Sequence, residues 1–135
     1  MVLAMHVDHP LAKKETVLLK DLEHQKLITT GSGSVLYSLT QRICYDGNFE
    51  PNIAIQSDDP YYINKHIKMG IGIAILPSPS WEGLESEEIC IRRIDDMLPH
   101  RAKKATVVCY KTHKYMSRHT KRFLDVLLEV AKEET

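Results

Sequence analysis

Short apolar runs and helical periodicities take turns along this chain. Leu27 to Thr30 reads as a strand and Gly31-Ser32-Gly33-Ser34 as a turn. The stretch that follows places Leu36, Leu39 and Ile43 at helical spacing and ends at Gly47, expected as a left-handed stop. The unit then repeats. Ile53 to Gln56 is a second strand, Ser57-Asp58-Asp59-Pro60 supplies capping side chains and a first-turn proline, and Ile63 and Ile67 lie four apart before Gly70. Ile71 to Leu76 is a nearly unbroken apolar run cut off by Pro77, the pattern of a central parallel strand covered on both faces. Strand, helix, strand, helix, strand predicts a small parallel sheet with right-handed crossovers.

The flanks are less regular. Val2 to Met5 suits a strand that is already inside a sheet when the chain begins, and His9-Pro10 closes it because proline lacks a donor and restricts its neighbour. A brief turn or helix is expected around Thr16 to His24, and an exposed loop over Pro77 to Glu88, which is rich in Pro, Ser, Gly and Glu. Ile89 to Ile94 and Thr106 to Tyr110 read as two further strands. A final helix opens near Ser117 and carries Phe123, Leu127, Val130 and Ala131 on one face.

Composition narrows the class. With 135 residues, 43% of them hydrophobic and 27% charged, the chain fits one soluble globular domain. Eighteen Lys plus Arg balance eighteen Asp plus Glu, so no global field recruits nucleic acid or an anionic membrane. The three cysteines, Cys44, Cys90 and Cys109, form no C-x-x-C pair and read as buried small apolar residues in a reducing cytoplasm. No membrane span or signal peptide is recognisable.

Candidate chemistry concentrates at one edge. In an open parallel sheet, ligands bind beyond the carboxyl ends of the strands, where helix N-termini present free backbone donors. Thr29, Thr30, Ser32, Gly33 and Ser34 lie at the first helix start, Ser57 and Asp58 at the second, and a small anion or polar effector would suit them. Ser32 or Ser34, and Ser57 or Asp59, serve equally well as plain helix caps, and the pattern alone leaves both readings open. Gly31-Ser32-Gly33 and Gly70-Ile71-Gly72 lack the third glycine or the Gly-Lys-Ser/Thr ending of nucleotide loops. His6 with His9, and His113 with His119, lack the spacing or neighbours of a metal site, and no Gly-x-Ser-x-Gly or other nucleophile constellation occurs. We therefore expect no catalytic residue, no metal and no cofactor. A basic run from Arg101 to Arg122 contains no acid, but it crosses a loop, a strand and a helix without interleaved aromatics, which suits a solvated surface better than a nucleic-acid patch.

These landmarks converge on a family. His9-Pro10-Leu11-Ala12 with Asp21-Leu22, the hydroxyl turn to Ser34, Gly47-Asn48-Phe49-Glu50-Pro51, Ser57-Asp58-Asp59, Met69 to Pro77 and Phe123 to Leu127 arrive in the order of a LysR-type effector-binding domain, which the chain resembles over nearly its whole length. The resemblance implies an α/β, periplasmic-binding-protein-like (type 2) fold, here a fragment with a parallel-rich sheet and helices on both faces. It implies a linker strand and turn over residues 1–26, a second effector-binding subdomain over 27–104, and a closing strand and C-terminal helix over 105–135 that return to the first subdomain. The resemblance leads us to expect the family's helix-turn-helix DNA-binding domain to be absent from these residues, so that DNA would be reached only through that domain of a parent protein. The implied function is sensing of a small, often anionic, metabolite by Thr29, Thr30, Ser32, Gly33, Ser34, Ser57 and Asp58 in a cytoplasmic homodimer, with the helix from Asp59 to Met69 as candidate interface. A dimerisation module without a working cleft is the alternative.

Overall fold

Alternation within the strands decides how the core divides. A computed structural model describes residues 1–77, 86–98, 107–113 and 115–133. Its elements are β1 (Val2–His6), β2 (Lys26–Thr29), α1 (Val35–Asp46), β3 (Asn52–Gln56), α2 (Pro60–Lys68), β4 (Ala74–Leu76), β5 (Ile89–Arg92) and α3 (Arg118–Glu133), with short 3-10 turns at Pro10–Lys13 and Leu19–Leu22. One face of the strands buries Leu3, Met5, Leu27, Ile73 and Ile75 against Ile43 and Cys44 of α1, and the other buries Ala4, Ile28, Ala74 and Leu76 against Ile63 and Ile67 of α2. Successive strand residues point to opposite faces, so helices cover both. Ile63 and Ile67 are fully buried, and each such side chain contributes about 1.5–3 kcal/mol of transfer free energy.

The sheet is mixed rather than wholly parallel. β2 and β3 pair in parallel, with Leu27 opposite Ile53 and Thr29 opposite Gln56, whereas β1 runs antiparallel between β4 and β5. A parallel bridge joins the two groups: the Ile28 N–H donates to the Ile73 carbonyl at 2.8 Å and the Ile73 N–H to the Lys26 carbonyl at 2.9 Å. Here Gly72 matters, because a Cβ on it would lie 2.5 Å from the Lys26 carbonyl oxygen. Gly70 ends α2 with φ 67°, and the Ile71 N–H returns to the His66 carbonyl and the Gly70 N–H to the Ile67 carbonyl, a Schellman closure.

The other helix stop differs from expectation. Gly47 has φ −83°, and the left-handed residue is Asn48 at φ 62°. Asn48 donates to the Tyr45 carbonyl and Phe49 to the Cys44 carbonyl, so the Schellman closure sits one residue later. Glycine is needed at 47 for room: a Cβ there would meet the Phe49 ring at 2.6 Å as that ring folds back into the core.

The first unit, Met1–Ala105, also holds the chain's crossing segments. Val17 bridges to Ile94, the Leu19 N–H donates to Asp96 at 2.7 Å, and the Arg92 guanidinium donates to the Ala12 carbonyl at 2.9 Å. Segment 1–26 thus contributes β1 to the middle of this unit's sheet. The second unit, Thr106–Thr135, contains α3, whose start is capped by Ser117 accepting the Thr120 N–H at 3.2 Å. Phe123, Leu127 and Val130 are exposed on its apolar side.

Two further expectations are corrected. No strand forms over residues 107–110: Val107 and Val108 are exposed and pair with no described strand, and extended residues without a ladder partner leave their backbone to solvent. Cys109 in the same stretch is exposed, unlike Cys44 and Cys90. Residues 78–85 of the loop expected over Pro77 to Glu88, and Arg101, Lys103, Lys104 and Lys114 of the basic run, lie outside the described residues, whereas Lys111, Arg118, Lys121 and Arg122 are exposed. Among the described residues no helix is long and apolar enough to cross a membrane, and no group of His, Cys, Asp and Glu is placed to hold a metal ion.

Candidate functional site

The parallel pairing of β2 with β3 brings the turns that follow them side by side. The Ser57 N–H donates to the Thr29 carbonyl at 3.0 Å, which extends the ladder to the strand ends and aligns the two turns. Beyond this point Asp58 reaches across, and its Oδ1 accepts the Gly31 N–H at 2.8 Å. A Cβ at residue 31 would stand 2.9 Å from Asp58 Oδ2, so glycine lets the carboxylate lie flush on the backbone. An open depression of about 500 Å³ results, lined by Gly31, Ser32, Gly33, Ser34, Gln56 and Asp58.

Within this arrangement the hydroxyls have different duties. Ser34 caps α1, its Oγ accepting the Tyr37 N–H at 3.0 Å, and it is hydrogen-bonded to the Thr30 hydroxyl. Ser57 Oγ accepts the Asp59 N–H at 3.2 Å, and Asp59 in turn caps α2 by accepting the Tyr61 N–H at 2.9 Å. Thr29 is 1% exposed, and its hydroxyl has no hydrogen-bond partner among the described residues. Ser32 and Gly33 are exposed at the turn tip.

The structure therefore gathers Ser32, Gly33, Ser34 and Asp58 around one depression, sets the Thr30 hydroxyl against Ser34, buries Thr29 beneath, and turns Ser57 back on its own loop. Sequence reasoning missed Gln56 as a lining residue. The signal was available, since alternation with the half-buried Ile53 and Ile55 puts Gln56 on the exposed side at the very end of β3. A second, adjoining depression of about 360 Å³ shares Gly33 and Ser34 and adds Arg42 from α1.

His6 and His9 are occupied locally. His6 Nδ1 accepts the Asp8 N–H and His9 Nδ1 the Leu11 N–H, each at 3.2 Å, so each closes its own turn. Burial holds His9 below the ordinary histidine range, partly opposed by a hydrogen bond with Gln25. Cys44 is buried on the inner face of α1, and burial pushes its thiol up to about 12.

A mixed sheet with helices on both faces and paired turns at its carboxyl edge puts the depression where open α/β sheets bind small molecules. The LysR substrate binding domain family matches residues 1–132, and the chain belongs to that family. It is 25% identical over 133 residues to the uncharacterized HTH-type transcriptional regulator YwbI of Bacillus subtilis (strain 168), a match covering 92% of this chain and 42% of that regulator. Among solved structures, the regulatory domain of Synechocystis PCC6803 CcmR in complex with 2-PG superposes with a TM-score of 0.78 at 23% identity, over 96% of this chain and 61% of that one. The effector binding domain of QuiR in complex with shikimate gives 0.74 at 21% identity, over 98% and 61%. The chain thus spans less than two thirds of the length of each of these three relatives.

Proposed function

We propose that this chain is the small-molecule effector-sensing domain of a LysR-type bacterial transcription regulator, working in the cytoplasm and controlling DNA binding by that regulator's helix-turn-helix element. The observation that carries the reading is the pair of βα turns held together over one depression by the Gly31–Asp58 hydrogen bond. Family membership over residues 1–132 and ligand-bound neighbours of the same fold support it. Ser32, Gly33, Ser34 and Asp58 form the effector-contacting wall with Gln56, Thr30 is held against Ser34, and the buried Thr29 and the loop-closing Ser57 support the turns that carry that wall. The effector is a small polar metabolite.

The domain also self-associates as a homodimer through α2. That helix exposes Tyr61 and Tyr62, an edge-to-face pair with ring centroids 5.5 Å apart, together with Met69, and aromatic residues and methionine of this kind are enriched at interfaces.

Thermal shift against a metabolite panel that includes shikimate tests the sensor reading. A ligand at about a hundred times its Kd stabilises by about 2.7 kcal/mol, and Ser32→Ala and Ser57→Ala should each reduce that shift. A ligand that stabilises both variants as much as the unmodified chain places the site elsewhere.

A further inference from the structure

Asp58 is the charged residue among those lining the larger depression. Its position is chemically specific. One carboxylate oxygen, Oδ1, takes the Gly31 N–H at 2.8 Å, a backbone donor that would otherwise be open to the carboxylate of a bound metabolite. The fit is close, since a Cβ at residue 31 would have both carboxylate oxygens and Cγ within 3.3 Å. The adjacent Asp59 is committed to capping α2, so the two neighbouring acids have separate tasks. Asp58 is exposed, and a single N–H uses only part of its capacity, because an ionised carboxylate offers about four acceptor sites.

A second anion brought against this group would meet like charge and would find the Gly31 donor already taken. A ligand group that donates, above all an ammonium, would meet free acceptor sites and opposite charge. We propose that Asp58 is a specificity-determining residue, and that this domain takes effectors presenting an amine or ammonium group to it, as amino-acid-like metabolites do, in preference to simple carboxylates. The inference rests on the effector-site reading above and names its ligand class. Any carboxylate on such an effector lies away from Asp58.

Glycine and acetate, which share a carboxylate and differ by the ammonium group, form the test pair. Each is titrated at matched ionic strength into the isotopically labelled chain while the backbone amides of Gly31, Ser32, Gly33 and Asp58 are followed by NMR. Opposite unit charges about 4 Å apart in water are worth roughly fivefold in affinity. Glycine should therefore shift these amides at about a fivefold lower concentration than acetate. Asp58→Asn keeps an acceptor for the Gly31 N–H while removing the charge, so the turn stays closed and the preference should fall to near unity. If acetate matches or exceeds glycine in the unmodified chain, or if Asp58→Asn retains the preference, Asp58 does not select the ligand and the effector site stands without this specificity. If neither probe moves these amides, and shikimate and the other panel metabolites leave them unmoved as well, the effector-site reading falls and the inference falls with it.

Discussion

Substituting alanine at Gly72 tests whether β2 and the entry to β4 are as closely packed as the geometry requires. The added Cβ would lie 2.5 Å from the Lys26 carbonyl oxygen and 3.2 Å from Ile28 Cγ1. Carbon–oxygen contacts settle at about 3.3 Å or more, leaving a shortfall of about 0.8 Å. A backbone carbonyl inside a sheet cannot swing aside as a side chain can, so the strands must part. That same carbonyl accepts the Ile73 N–H at 2.9 Å, so parting them weakens the bridge that unites the two groups of strands. Overpacking costs about 1–3 kcal/mol, and a weakened hydrogen bond adds about 1 kcal/mol. We expect Gly72→Ala to lose about 3 kcal/mol. For a domain of this size that lowers Tm by roughly 10 °C. Gly33→Ala is the matched control, because a Cβ there meets nothing within 4 Å and the backbone is not left-handed. It should be neutral or slightly stabilising, by up to about 1 kcal/mol, through loss of unfolded-chain freedom. Urea denaturation of both variants, with m-values compared, gives the answer. Stabilities of the two variants within about 0.5 kcal/mol of each other would refute the close strand approach.

Two further outcomes follow from the buried groups. His9 is held below the usual histidine range by burial, so as pH falls through about 6.5 the unfolded chain takes its proton before the folded one does. Its contribution to stability is full above that pH and is lost on the way down to the folded value. Comparing urea midpoints at about pH 7.5 and about pH 5.5, the unmodified chain should lose more than His9→Asn, which caps the same turn without titrating; equal losses would count against the burial effect. For the thiols, Cys44 and Cys90 are buried and the Cys44 thiol is pushed up to about 12, whereas Cys109 is exposed. A maleimide should label Cys109 alone in the native protein, read by peptide mass, and reach the other two on unfolding; native labelling of Cys44 at a comparable rate would contradict its burial.

Much of this architecture was legible because single-chain periodicity governs it. Ile63 and Ile67, four apart behind an Asp-Pro start, define α2 with its cap and first-turn proline. The Ile71 to Leu76 run reads as a covered strand because both faces of β4 are buried. What escaped depends on partners distant in sequence. The apolar run at Val2 to Met5 marks a strand, but its antiparallel placement between β4 and β5 is set by residues some seventy to ninety positions away. Val107 and Val108 have strand-forming side chains yet form none, because a strand needs a ladder as well as a propensity. The stop after α1 fell one residue from expectation because Phe49, not backbone freedom, dictates the glycine at 47.

At the candidate site, the choice between capping and binding separates residue by residue rather than for the cluster as a whole. Capping is a local demand, and it takes Ser34 on α1 and Asp59 on α2, with Ser57 folded onto Asp59. Each of these bonds joins residues two or three apart, which is why a sequence pattern anticipates them. The Gly31–Asp58 bond spans 27 residues and follows only from the parallel register that aligns the ends of β2 and β3. With Ser34, Ser57 and Asp59 engaged in local structure, the polar groups facing the depression without a capping duty reduce to Ser32, Gln56 and the unused acceptor sites of Asp58. Selectivity in such a site is set by groups whose hydrogen-bonding capacity the fold has not already consumed. By that criterion the charge of Asp58, more than the number of hydroxyls nearby, determines what this wall can recognise.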